Sequence, residues 1–167
     1  MTKEKFDLII RNGEVIDGTG APRRKTDIGV RDERIAIIGD LSGAYGNFVA
    51  DAANRIIAPG FIDVHTHDDH ALLSKPDMGY KTSQGVTTVV TGNCGISLAP
   101  LRFKGDRPPP PLDLLGDGYK FPHMSDFFEA IDANPPATNA ALLCGHTTLR
   151  VGAMDDLTRP ATEKEID

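Results

Sequence analysis

The sequence predicts an α/β protein: a small all-β unit over residues 1–57, then the opening βα units of a parallel sheet over residues 58–167. Three observations predict it. Residues 1–57 hold only short apolar runs split by turn residues, with no helical period of useful length. Beyond Pro59-Gly60, β-branched runs alternate with helical pieces, the order expected of βα units. Residues of the AVILMFWYC set make up 40% and charged residues 25% of the 167, which excludes a disordered or fibrous chain.

Taken in order, Phe6–Ile10 reads as a strand leading into Asn12-Gly13, a strong hairpin signal, with Glu14–Asp17 expected to return beside it. Gly18–Pro22 breaks the run. Asp27–Val30 and Arg34–Ile38 read as two more strands around the polar turn Arg31-Asp32-Glu33, and Arg55–Ala58 is another short apolar run. In the second part, Phe61–His65 is a compact strand, and Leu72–Ser83 a weak helix interrupted by Pro76 and Gly79. Val86–Thr91 is an unbroken β-branched run with the composition of a strand buried on both faces. A long loop carries the stiff segment Pro108–Pro111. Ser125–Ile131 starts a helix with Ser125 as its N-cap, and Asn139–Cys144 is a third buried-type strand.

Thr162 and Glu165 stand at capping-box spacing and announce a helix of about one turn, too short to stand alone in water. Three parallel-type strands cannot close a barrel. The expectation is an N-terminal portion of a longer protein. The formal net charge of −6 and the lack of a basic stripe argue against nucleic acid as a partner. No charged-then-apolar leader follows Met1, and the apolar runs fall far short of the ~20 residues that span a bilayer. Cys94 and Cys144 are too few for a disulfide framework, so a cytoplasmic protein with reduced thiols and no membrane partner is expected.

The sharpest local feature is His65-Thr66-His67. Side chains two apart in a strand share a face and lie about 6.6 Å apart along it, so two imidazoles there can converge on one cation. Gly60-Phe61-Ile62-Asp63 in front strengthens the signal, and the pair sits where a strand leaves the sheet. Asp63 shares the histidine face, either supporting a ligand or satisfied by backbone donors. The second feature is Thr91-Gly92-Asn93-Cys94-Gly95, whose glycines let the backbone approach closely. Cys94 is either a small buried hydrophobe or a soft ligand for zinc, and its place beyond a strand end favours the ligand. Cys144, inside an apolar run, reads as core. His146, after the third strand, lines the same cleft as an acid or donor, or is a structural histidine. His70 and His123 read as surface residues; Asp68-Asp69 either hydrogen-bonds the ligating imidazoles or, the commoner case for adjacent carboxylates in a loop, is simply solvated.

The stretches Asp7–Gly13, Ile16–Gly20 and Ala58-Pro59-Gly60-Phe61-Ile62-Asp63-Val64-His65-Thr66-His67 resemble the amidohydrolase superfamily. Thr66–Asp69, Gln84–Pro100 with its Gly-Asn-Cys-Gly element, and Gly145–Arg150 are similar to one branch, the N-acyl-D-amino-acid deacylases. The resemblance implies a TIM-like (β/α)8 barrel beside a small β-sandwich, with about the first third of such an enzyme present. It implies that His65 and His67 hold a weaker, more exposed metal and that Cys94 binds a tight zinc and can bridge to the second. It places two further histidine ligands, the general-base aspartate and the groups that grip the substrate carboxylate beyond Asp167. The implied reaction is zinc-assisted hydrolysis of an N-acyl-D-amino acid to a carboxylic acid and a D-amino acid, with the isolated 167 residues inactive. The alternatives are a cyclic-amide hydrolase of the dihydropyrimidinase or dihydroorotase kind, and a non-catalytic relative or inactive fragment; Cys94 at the end of the second strand favours the deacylase.

Overall fold

The computed structural model describes residues 4–116 and 121–166 and divides the chain into two compact units, Met1–Pro59 and Gly60–Asp167. The first unit contains β1 (Lys5–Arg11), β2 (Glu14–Val15), β3 (Arg24–Lys25), β4 (Asp27–Arg31), β5 (Arg34–Gly39), β6 (Tyr45–Asp51) and β7 (Ile56–Ile57). They form a four-stranded sheet of order β5-β4-β1-β6 and a three-stranded sheet of order β3-β2-β7. Phe6, Ile9 and Leu41 are fully shielded between strand β1 and the turn after β5.

The expected hairpin at Asn12-Gly13 does not form. Strand β1 pairs instead with β4 and, in parallel, with β6, while β2 belongs to the other sheet. Asn12 does take the left-handed conformation, at φ 65°. Its side chain, however, donates to Asp51 at 2.9 Å and its N–H to Asp27 at 3.1 Å, so long-range partners redirect the turn from one sheet to the next. The Arg31–Arg34 hairpin forms as read: Asp32 and Glu33 both have positive φ, the two-residue geometry that matches strand twist. Strand β6 was not foreseen. Gly46 and Asn47 spoil its alternation, and only register with β1 makes it a strand.

The second unit holds β8 (Phe61–Asp63), α1 (Asp69–Ser74), α2 (Gly79–Thr82), β9 (Val86–Thr91), α3 (Met124–Ala133), β10 (Asn139–Leu142), α4 (His146–Ala153) and α5 (Glu163–Ile166). Its three strands form one parallel sheet with β9 in the middle, so the chain is a mixed α/β protein. The core packs Leu72, Met78, Val89, Leu98, Leu112 and Phe127. Four details differ from the sequence reading. The 72–83 helix is two short helices, with Met78 between them in the left-handed region. Burial along β9 alternates, with Val89 and Thr91 fully shielded and Thr87 exposed. The N-cap of α3 is His123, whose N–H donates to Asp126 at 3.1 Å, and Ser125 lies inside the helix. Strand β10 stops at Leu142, leaving Cys144 exposed beyond its end rather than in the core, and helix α4 follows where none was expected. Among the described residues no helix is long and apolar enough to cross a membrane.

Gly29 in β4 tests the first unit. A Cβ there would sit 2.6 Å from the buried Phe6 ring, so Gly29→Ala is expected to destabilise this unit by about 1–3 kcal/mol, read as a lowered denaturant midpoint.

Candidate metal centre

Beyond β8 the chain stays beside β9. The Thr66 N–H donates to the Val90 carbonyl at 3.0 Å and its hydroxyl to the same oxygen at 2.9 Å, so Thr66 faces inward and is buried. Its neighbours His65 and His67 are therefore turned outward. Both are exposed, with ring centroids 5.9 Å apart and planes at 70°. The Asn93 amide closes this arrangement, donating to the carbonyls of Thr66 at 3.3 Å and Val90 at 2.8 Å.

Cys94 arrives from the end of β9. Gly92, Cys94 and Gly95 all have positive φ, at 79°, 54° and 76°. For Cys94 this conformation costs roughly 1–3 kcal/mol and persists only where the surroundings impose it. They do so closely: a Cβ on Gly92 would run into the Leu143 carbonyl, and one on Gly145 into the Gly95 carbonyl. Ser97 and Thr148 fix the far side of the loop. The Ser97 N–H donates to the Thr148 hydroxyl at 2.9 Å, that hydroxyl donates back to the Ser97 carbonyl at 3.0 Å, and the Ser97 hydroxyl accepts the Gly145 N–H at 2.9 Å. The Cys94 Sγ comes to rest 3.2 Å from His65 Nε2, and ligand atoms of His65, His67 and Cys94 all lie within 4.8 Å of one another.

Charged groups surround the histidine segment. Lys81 of α2 reaches Asp63 at 2.7 Å and Asp68 at 3.1 Å, so one ammonium ties both sides of the His65–His67 turn. The Lys81 hydrogen bond holds the Asp63 carboxyl below its usual range. Burial works against the charge of Lys81, but its two carboxylate partners outweigh it and raise its pKa. Burial, then a 3.0 Å hydrogen bond to Asp68, pushes the Tyr80 phenol up to about 12. Asp69 is not solvated, as its sequence context suggested. It is 1% exposed and accepts the N–H groups of Gly92 at 3.2 Å and Leu98 at 3.3 Å, and its burial pushes the carboxyl up.

The remaining candidates are not among the clustered ligands. His146 is exposed at the start of α4 and lines a cavity of about 210 Å³ with Leu149, Arg150 and Glu165; it is not one of the clustered ligands. His70 is half-buried against Gly116 rather than on the surface, and His123 serves as the cap of α3. The sequence reading missed Tyr80, Lys81, Ser97 and Thr148, whose partners are distant in the chain. For Asp69, its place two residues after His67 was the only available signal.

The chain matches the Amidohydrolase family over residues 49–166. It is 54% identical over 165 residues to a D-aminoacylase of Alcaligenes xylosoxydans xylosoxydans, covering 98% of this chain and 34% of that protein. A solved D-aminoacylase, studied for its binuclear metal centre with one-metal activation and second-metal attenuation, superposes with a TM-score of 0.91 at 56% identity, covering 96% of this chain and 34% of the other. An N-acyl-D-glutamate deacylase of Bordetella bronchiseptica, solved with zinc and a phosphonate mimic of the tetrahedral intermediate, gives 0.92 at 50% identity, covering 97% and 34%. The chain spans about a third of the length of these relatives.

Thr148→Val keeps the shape but removes both bonds to Ser97. It is expected to destabilise the second unit by about 1–3 kcal/mol in urea unfolding, because the buried Ser97 amide loses its acceptor.

Proposed function

From the premise that this chain belongs to the amidohydrolase family, we propose that it serves the hydrolysis of N-acyl-D-amino acids to a D-amino acid and a carboxylic acid, with zinc held in part by His65, His67 and Cys94. The observation that supports it most is the convergence of two imidazoles and a thiol from the ends of neighbouring parallel strands. The donor set suits a borderline-soft ion. The edge of a zinc tetrahedron runs about 3.3–3.8 Å for N and S ligands. The 3.2 Å between His65 Nε2 and Cys94 Sγ is close to that. All the offered ligand atoms lie within 4.8 Å of one another, so His65, His67 and Cys94 would together hold one ion tightly and a second more weakly.

Bound zinc supplies Lewis acidity toward the acyl carbonyl and activation of water. The chain's own residues supply the setting. His65 and His67 offer ring nitrogens on the exposed face, held by the inward anchor of Thr66. Cys94 offers sulfur from a loop whose backbone cannot easily relax. The chain spans about a third of its relatives' length, and on this reading the aspartate that would carry the proton to the leaving amine belongs to the remainder of the full-length protein. His146 stands outside the ligand cluster, at the start of α4 beside the cysteine loop. A cytoplasmic setting, where thiols stay reduced, keeps Cys94 available as a ligand. The cyclic-amide alternative is weaker, because relatives matched over nearly the whole chain bear the names of linear-amide deacylases.

In the full-length enzyme, Cys94→Ala is expected to remove the tightly held zinc and nearly all release of D-amino acid, measured by metal analysis after dialysis and by product assay. Retained zinc and rate would take Cys94 out of the ligand set. His67→Ala is expected to lower occupancy of the second ion more than the first. Residues 1–167 alone are expected to show no turnover of N-acyl-D-amino acids.

A further inference from the structure

The metal centre is carried by two segments that are far apart in sequence, and one side chain spans them. Asp69 lies two residues after His67, at the start of α1. Its two carboxylate oxygens accept one N–H from each flank of the cysteine loop: Oδ2 from Gly92, two residues before Cys94, and Oδ1 from Leu98, four residues after it. The seven-residue stretch that carries the sulfur is therefore closed across a single carboxylate anchored to the histidine segment. We propose that Asp69 is a positioning residue that sets Cys94 against His65 and His67, so that zinc affinity depends on a side chain that touches no ligand atom.

Two features make the role specific. Cys94 sits in a left-handed conformation that an unrestrained cysteine leaves, so something must hold the loop ends together. The other restraints on this loop, through Ser97, Thr148 and Gly145, tie it to α4 and not to the histidines. Among the described side chains, Asn93 also meets the histidine segment, but it does so through the Thr66 and Val90 carbonyls ahead of the sulfur and leaves the far flank free. Among the described side chains, Asp69 alone grips both flanks. The inference rests on the reading of His65, His67 and Cys94 as zinc ligands.

The test uses the full-length protein with zinc for affinity and cobalt(II) as a spectroscopic probe of the thiolate. Asp69→Asn retains one acceptor oxygen in place of two. It is expected to weaken zinc by about 10–100-fold and to diminish the thiolate-to-cobalt charge-transfer band. Met154→Ala, a change at a buried residue outside the core cluster that holds Leu98, serves as the control for lost stability, and is expected to leave zinc affinity within about twofold. Parent-like zinc affinity in Asp69→Asn would overturn the proposal, as would an equal loss in Met154→Ala. If Asp69→Asn does not fold, amide hydrogen exchange on the parent decides. Coupling is reciprocal, so zinc must slow exchange at Gly92 and Leu98, and unchanged exchange there overturns the role. A parent protein that binds no zinc, or a Cys94→Ser variant that binds it undiminished, would instead remove the ligand assignment and the inference with it.

Discussion

The inward pinning of Thr66 is the constraint on which the candidate centre depends. An isolated His-x-His places two imidazoles on one side of an extended segment but does not say which side. Two hydrogen bonds from Thr66 to the single carbonyl of Val90 decide it. With the threonine turned toward β9, its neighbours must face away, and a one-residue slip would bury both rings. The same contact fixes the longitudinal register, and so brings the histidines level with the place where β9 ends and Cys94 emerges. A small buried hydroxyl thus governs the placement of two exposed rings.

The cysteine loop solves the opposite problem. The histidines inherit their geometry from a sheet, whereas Cys94 lies outside regular pairing and has to be held by tertiary contacts. Gly92 and Gly145 allow backbone to pass within reach of backbone, where any side chain would collide with a carbonyl. That closeness delivers the Ser97, Thr148 and Gly145 hydrogen bonds, each of them buried and therefore costly to lose. The left-handed cysteine is the outcome: a conformation disfavoured locally and imposed by a saturated hydrogen-bond network.

What the sequence makes legible follows from range. His65-Thr66-His67 and Gly92-Asn93-Cys94-Gly95 are local patterns, and both were readable, as were the β4–β5 turn and the β-branched strand β9. The neighbours of Asp69 suggest a solvated loop, whereas its carboxylate is held inward by backbone donors 23 and 29 residues away. Asn12-Gly13 shows the same limit from the other side. A strong local turn signal was overridden by Asp27 and Asp51, residues that no short window contains. The apolar neighbours of Cys144 point to the core, but β10 stops two residues earlier and leaves it exposed.

Charge balance around the centre follows the same division between local and distant partners. Asp63 and Asp68 bracket the histidine pair and would compete with the ligands for a cation. Lys81 engages both, at 2.7 and 3.1 Å, and Tyr80 takes a further lone pair of Asp68. Asp69 is turned inward onto two amides. Each nearby carboxylate is therefore already committed to a donor of the protein, and the imidazoles and the thiol remain the exposed groups of the cluster. Such a site selects by softness rather than by accumulated negative charge, because nitrogen and sulfur favour zinc over the hard cations that carboxylates would gather. The acidic residues then act as mechanical parts, holding the frame in which the softer atoms meet.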